Sequence, residues 1–165
     1  MNKTAYQSLR VRDPLLHYAS RLLSYRSRSE KEMRERLSTK GFGEEEINRA
    51  ITRLKSGGLL DDGKLARSLM RYAGEERGLG LSATRHFLIE KGVPREIVDE
   101  TTREIDEVEI ARRLLNKKLR AWSKFSRPSQ ALLKKRLYGF FSRKGYTPET
   151  IGKAMEEYTA EEDNS

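Results

Sequence analysis

The sequence contains no cysteine and only two histidines in 165 residues. Without cysteine the chain forms no disulfide and no thiolate metal site, which suits a reducing compartment. His17 and His86 stand 69 positions apart, and no metal-ligand spacing, P-loop or dinucleotide fingerprint accompanies them. We interpret both histidines as ordinary helix residues and expect no catalytic site, no metal and no cofactor.

Apolar residues are also scarce. They make up 36% of the chain, below the usual share of about 45 to 50%, and no apolar run exceeds three residues. Such runs cannot cross the roughly 30 Å of a bilayer as a helix. No signal peptide opens the chain, so we expect a cytoplasmic protein.

Charge is what the sequence has in abundance. Charged residues make up 36% of the chain, against a typical share of about 25%, and the net charge is +9. Residues 61–106 carry −2, whereas residues 107–153 carry +10. A protein this basic is expected to attract polyanions or an acidic protein surface.

A repeated signature organises the chain. The pattern apolar-x-x-Lys-Gly-apolar occurs at residues 37–42, 88–93 and 141–146, with the Lys-Gly pairs 51 and 53 positions apart. An amphipathic segment of helical period precedes and follows each signature, and no segment alternates with period two. The sequence therefore predicts an all-α protein of three tandem three-helix repeats that stack into an elongated, curved array.

Local chemistry marks the ends of these helices. Ser29 with Glu32 predicts a capping box, and Asp61 or Asp62 is expected to cap the next helix, which we favour over a metal-binding or acid–base pair. Three glycines follow a lysine where a left-handed residue would end a helix, namely Gly41, Gly92 and Gly145.

These signals set the predicted boundaries. A flexible N-terminus (1–13) is followed by three repeats (14–60, 61–106 and 107–159) and an acidic tail (160–165). We interpret Gly78-Leu79-Gly80 as a flexible joint, because it lacks the preceding strand and the third glycine of a phosphate-binding loop.

Basic residues form two helical stripes that are candidates for partner binding. One consists of Arg113, Lys117, Arg120 and Lys124, which fall within about 60° on a helical wheel, opposite the apolar face. The other, shorter stripe consists of Lys64, Arg67 and Arg71. Because charged faces are usually just solvated, partner contact and plain solvation both remain open, and the two stripes need not share a surface.

Several motifs together resemble the RecX family over about residues 14–158. They are Leu-Leu-Ser-Tyr-Arg at 22–26, Ser29-x-x-Glu32-Met33, Gly-Leu-Leu-Asp-Asp at 58–62, Lys64-Leu65-Ala66 and the Lys-Gly-apolar endings. The resemblance implies an all-helical regulator without a catalytic site. It would bind the RecA recombinase and its filament on single-stranded DNA and inhibit ATP hydrolysis, filament growth and strand exchange, thereby modulating recombination, DNA repair and the SOS response.

Two alternatives remain beside this interpretation. One is a DNA-binding helical module that acts without RecA and without sequence preference, because short three-helix units resemble helix-turn-helix elements and the net charge is suitable. The other is a helical scaffold with no role in recombination. We expect a monomer that binds DNA weakly and does not bind membranes.

Overall fold

The computed structural model describes residues 13–103, 105–122 and 129–163. These residues form nine α-helices and no β-strand, which confirms the predicted all-α class. The helices are α1 (Pro14–Tyr25), α2 (Glu30–Thr39), α3 (Glu44–Ser56), α4 (Asp62–Arg71), α5 (Leu81–Glu90), α6 (Arg95–Thr102), α7 (Glu107–Trp122), α8 (Gln130–Arg143) and α9 (Pro148–Asp163). Helix α9 extends into the predicted acidic tail.

In chain order the helices form three sets of three, which we call repeat 1 (α1–α3), repeat 2 (α4–α6) and repeat 3 (α7–α9). Among the helices of the described segments, none combines the length and apolar character needed to cross a membrane.

The middle helix of each repeat ends in the same turn. Gly41, Gly92 and Gly145 have φ angles of 97°, 80° and 85°. The apolar residue after each glycine donates its N–H to the carbonyl five positions earlier, in the bonds Phe42 to Leu37, Val93 to Leu88 and Tyr146 to Phe141, at 3.1 to 3.3 Å. This is the Schellman motif, and its left-handed residue explains why glycine recurs at these positions.

The predicted capping box at the start of α2 is half formed. Ser29 Oγ accepts the N–H of Glu32 at 3.1 Å. The Glu32 carboxylate does not return to the Ser29 N–H but accepts from Arg26 at 2.6 Å and from Arg28 at 2.9 Å. Charge-assisted bonds from two guanidinium groups outweigh one from a backbone N–H.

The described residues divide into two compact units. Unit 1 comprises residues 13–68 with Leu88–Thr101, and unit 2 comprises Leu69–Phe87 with residues 102–163. Repeat 2 therefore contributes to both units.

Each unit has its own apolar core. In unit 1, Met33, Leu37 and Leu54 are fully buried among α1, α2 and α3. In unit 2 the fully buried ring of Phe141 packs edge-on against Tyr146, with ring centroids 5.1 Å apart. Burying a large apolar side chain contributes roughly 1.5 to 3 kcal/mol, so these clusters supply much of the stability of each unit.

A first junction, in unit 1, joins repeats 1 and 2. Ser29 Oγ donates to the Lys91 carbonyl at 2.8 Å. The Glu30 N–H donates to the Asp62 carboxylate at 2.9 Å. Gly92 lies so close that a Cβ there would be 2.4 Å from Ser29 Oγ.

A second junction, in unit 2, joins repeats 2 and 3. The Gly80 N–H donates to the Lys144 carbonyl at 2.8 Å. The Leu81 N–H donates to the Glu107 carboxylate at 2.6 Å. A Cβ at Gly80 would lie 2.7 Å from backbone atoms of Gly145, so the backbones are in direct contact.

The prediction of a flexible joint at Gly78 and Gly80 is wrong. Both glycines are buried, and a Cβ at Gly78 would lie 3.0 Å from Leu114. The missing side chains permit the neighbouring segments to pack closely. Ahead of them, α4 continues into a π-helical turn at Tyr72–Glu76.

Candidate partner-binding surface

Unit 2 contains a cleft with a volume of about 650 Å³. Its walls come from the end of α4, the π turn, the start of α5, α7 and the end of α8. Eight of the lining side chains are apolar, and they are Met70, Leu79, Leu81, Ile105, Ile110, Leu114, Ala121 and Phe140. The volume falls in the range that binds small ligands or a few protein side chains.

Basic side chains surround the cleft, and we call them the basic rim. They are Arg71, Arg77, Arg113, Lys117, Lys118 and Lys144. Among the described lining residues the acidic ones are Glu75 and Glu76, so this described lining has a net formal charge of +4. Cations at the mouth of an apolar cleft focus a positive potential there, which attracts anionic groups.

The rim brings together members of both predicted stripes. Arg71 at the end of α4 lies at the same cleft as Arg113 and Lys117 on α7, although the sequence separates them by more than 40 positions. All three side chains are exposed. Arg113 remains 68% exposed while Glu109 lies 3.4 Å away, and such exposed pairs hold a side chain only weakly.

Three of the other predicted cations, Lys64, Arg67 and Arg120, do not line the cleft. Lys64 lies 3.4 Å from Asp61, and both Arg67 and Arg120 have exposed side chains. Lys124 falls outside the described residues. Arg71 from the shorter stripe and Arg113 and Lys117 from the longer one therefore line a common cleft.

The sequence did not predict three residues of the basic rim, which are Arg77, Lys118 and Lys144. The ammonium groups of Lys118 and Lys144 lie 4.5 Å and 5.9 Å from the ring centroid of Phe140. The Lys144 ammonium group donates to the carbonyl of Arg77, whose guanidinium lies 5.0 Å from the ring of Phe87. From the sequence we interpret Lys144 only as the lysine before a helix-ending glycine, which does not predict that Lys144 lines the cleft.

The π turn forms one wall of the cleft through Gly74, Glu75 and Glu76. A Cβ at Gly74 would meet only the Ile110 side chain, at 4.0 Å, so this wall has room for a larger residue. Single π turns inside α-helices are frequently found at functional sites.

The two aspartates of the Gly-Leu-Leu-Asp-Asp motif have different partners. Asp61 accepts the N–H of Lys64 at 2.9 Å, and this bond lowers the pKa of Asp61. Asp62 is more enclosed, and burial raises its pKa against the opposing effect of its bond from Glu30. One carboxylate caps its own helix and the other caps α2.

Nothing in this region forms a metal-binding cluster. In the segments that the structure describes, no group of three or more His, Cys, Asp or Glu side chains could hold a metal ion. His17 and His86 lie exposed on α1 and α5.

Comparison with known families gives two matches along the chain. A model of the first three-helix domain of RecX matches residues 16–54, and a model of the third three-helix domain matches residues 104–155.

Related proteins extend the similarity over most of the sequence. The regulatory protein RecX of Chlorobaculum tepidum is 34% identical over 147 residues, which is 89% of each chain. The regulatory protein RecX of Prosthecochloris aestuarii is 32% identical over 142 residues, covering 86% of this chain and 91% of its own. The crystal structure of RecX from Lactobacillus salivarius has a TM-score of 0.71 at 22% identity and 93% coverage of both chains, which supports the fold alone.

Proposed function

The chain belongs to the RecX family of regulatory proteins, and from this we propose that it binds the RecA recombinase and its filament on single-stranded DNA. Binding inhibits ATP hydrolysis, filament growth and strand exchange, and so modulates recombination and DNA repair. The protein acts in the cytoplasm, as a monomer without a cofactor or a reaction of its own.

The observation that carries the proposal is family membership together with the exposed basic rim of unit 2. A regulator that transforms no substrate needs a surface that recognises its partner. The rim offers exposed cations beside an apolar cleft, a combination that binds through both charge and burial.

An ATPase titration tests this function. RecA is mixed with ATP and single-stranded DNA, and the protein is added from substoichiometric to equimolar amounts. We expect hydrolysis to fall before equimolarity. Unchanged turnover at equimolar protein would contradict the proposal.

A matched pair of charge reversals assigns the effect to the rim. We expect R113E/K117E to raise the concentration for half-inhibition at least tenfold, because two attractive contacts become repulsive. The control is K134E/K135E on α8, which makes the same change of charge at exposed residues away from the cleft. Equal losses from both pairs would show that only net charge matters.

The alternative is non-specific DNA binding without RecA, which the exposed cations favour. If Arg71, Arg113 and Lys117 each neutralise a phosphate of single-stranded DNA, log K should fall with log salt at a slope of roughly −2. We expect weak binding of this kind without site preference. Tight discrimination among duplex sequences at physiological salt would replace the RecA proposal with a sequence-reading function.

A further inference from the structure

The cleft of unit 2 combines aliphatic walls with a basic rim. This combination specifies the ligand more closely than the net charge of the protein does. We propose that the cleft is a docking groove for a short acidic segment of the partner protein, which inserts bulky apolar side chains between α7 and the π turn while its carboxylates meet the basic rim. This inference rests on the proposed function, because it identifies what part of RecA is bound.

The walls account for the apolar part of the ligand. Ile110 and Leu114 on one side and Met70 and Leu79 on the other present aliphatic surface around a volume of about 650 Å³. Water that lies against these aliphatic side chains finds no hydrogen-bond partner in them, so replacing it with side chains such as Leu, Ile or Phe is favourable.

The rim accounts for the acidic part. Arg71, Arg113 and Lys117 are exposed at the mouth, where a carboxylate reaches them without leaving solvent completely. Arginine also pairs with carboxylates through two parallel hydrogen bonds, which orients a bound segment as well as attracting it.

A nucleic acid strand fits these walls less well. Base recognition needs open aromatic faces for stacking and polar groups for the base edges. Among the described residues that line the cleft, the aromatic one is Phe140, and the Lys118 ammonium group lies 4.5 Å from its ring centroid. Phosphates would use the rim but leave the aliphatic walls without a function.

The N-terminal segment of the chain is an unsuitable occupant. Residues 1–12 contain Lys3, Arg10 and Arg12 and no acidic residue, so the rim would repel them. The segment 156–165 is acidic, and a copy of it from a second molecule is the competitor that the experiment must include.

A glycine substitution offers a way to close the cleft. Gly74→Trp places a large ring where a Cβ has only an ordinary contact with Ile110, at 4.0 Å. Its matched control is Gly152→Trp on the exposed face of α9, where nothing lies within 4 Å. R113E/K117E, with K134E/K135E as control, tests the rim without adding volume, and melting curves verify that each variant is folded.

The experiment measures binding of the full-length protein to overlapping 15-residue peptides that cover RecA, to a peptide of residues 156–165 and to a dT15 oligonucleotide. We expect the tightest RecA peptides to be acidic and to contain Leu, Ile, Met or Phe. Gly74→Trp and R113E/K117E should each weaken that binding at least tenfold, while the two controls leave it unchanged.

Other results overturn the docking groove. It fails if no RecA peptide binds in a way that Gly74→Trp weakens, or if the RecA peptides that bind are basic or purely polar. It also fails if the variants weaken only the binding of dT15, or if the 156–165 peptide is the only peptide that binds. If wild type inhibits the RecA ATPase and Gly74→Trp inhibits equally well, the proposed function stands and the groove fails. If wild type does not inhibit but binds an acidic RecA peptide that Gly74→Trp releases, the groove stands and the inhibitory function fails.

Discussion

The two junctions join successive repeats through the same pair of contacts, built from different groups. In each, a carbonyl at the end of a middle helix accepts from the N-cap residue of the preceding middle helix, Lys91 from Ser29 and Lys144 from Gly80. The N–H that follows the cap donates to a carboxylate on the next repeat, which is Asp62 at the first junction and Glu107 at the second.

The difference between the junctions lies in how closely the backbones approach. At the first, the Ser29 side chain separates the two segments and supplies the donor. At the second, Gly80 supplies its own N–H, and a Cβ at either Gly80 or Gly145 would lie less than 3.0 Å from the opposing segment. Mutation can therefore remove single atoms from the contact at the first junction. The backbone contact at the second junction can form only if no side chain lies between the two segments.

The units also use charge differently. In unit 1, Glu30 pairs with Arg34 and Lys55, while Glu32 pairs with Arg26 and Arg28. In unit 2 a surplus of cations surrounds the cleft. These ion pairs in unit 1 therefore support local structure, whereas Arg71, Arg113 and Lys117 at the cleft of unit 2 have exposed side chains that a partner can reach.

Alanine at the three helix-stop glycines should separate backbone strain from junction packing. All three have positive φ, but a Cβ at Gly41 would have nothing within 4 Å, one at Gly92 would meet Ser29 Oγ, and one at Gly145 would meet the Cβ and backbone N of Ala83. We expect Gly41→Ala to cost about 1 kcal/mol from strain. Gly145→Ala should cost about 3 kcal/mol because overpacking is added, and Gly92→Ala should fall between them.

Urea unfolding of the three variants checks this order. Gly41→Ala is the matched control, since it has the strained φ without the contact. Three equal losses of unfolding free energy would mean that the junctions tolerate a methyl group and that φ alone selects glycine.

Removing one hydroxyl should weaken the first junction with a smaller effect. Ser29→Ala deletes the helix cap to the Glu32 N–H and leaves the Lys91 carbonyl without the donor from Ser29. The two losses together should cost about 2 kcal/mol. Thermal and urea unfolding measure it.

The control is Ser56→Ala, which removes an exposed hydroxyl bonded to the Arg53 carbonyl. We expect a change within about 0.5 kcal/mol there. A Ser29→Ala variant as stable as Ser56→Ala would show that the first junction does not depend on this side chain.

The middle-helix ends were predictable from the sequence because their cause is local. A left-handed turn after a lysine selects glycine wherever it occurs, and the structure places Gly41, Gly92 and Gly145 in that conformation. The all-α class followed for the same reason, since helical period is a property of neighbouring residues.

The cleft and the junctions were not predictable in this way because they depend on distant segments. Adjacent Asp61 and Asp62 look equivalent in the sequence, yet one caps its own helix and the other reaches Glu30, 32 positions away. Likewise, the sequence around Arg71 does not indicate that Arg113 lines the same cleft. Helical wheels place a residue on a face, but they do not show which other face it meets.

The smallest effect expected is a pH dependence that Glu30 gives to the first junction. A hydrogen bond from Lys55 lowers the pKa of Glu30 below its ordinary value of 4.5, whereas the second junction has Leu81 at the corresponding position. The stability that Glu30 contributes is therefore present above about pH 4.5 and is lost as the pH falls through its folded pKa. Glu30→Gln should cost about 0.5 kcal/mol at pH 7 and nothing near pH 3, where wild type and variant converge.

Urea unfolding at pH 7, 5 and 3 measures this convergence, with Glu35→Gln on the exposed face of the same helix as control. Burial raises the pKa of the neighbouring Asp62, so ionising Asp62 lowers stability as the pH rises, which is the opposite sign. Burial, the largest cause of that shift, is the same in wild type and variant, so this part of the contribution cancels in their difference. A gap between them that stays constant from pH 7 to pH 3 would therefore assign the effect of Glu30 to helix packing rather than to its charge.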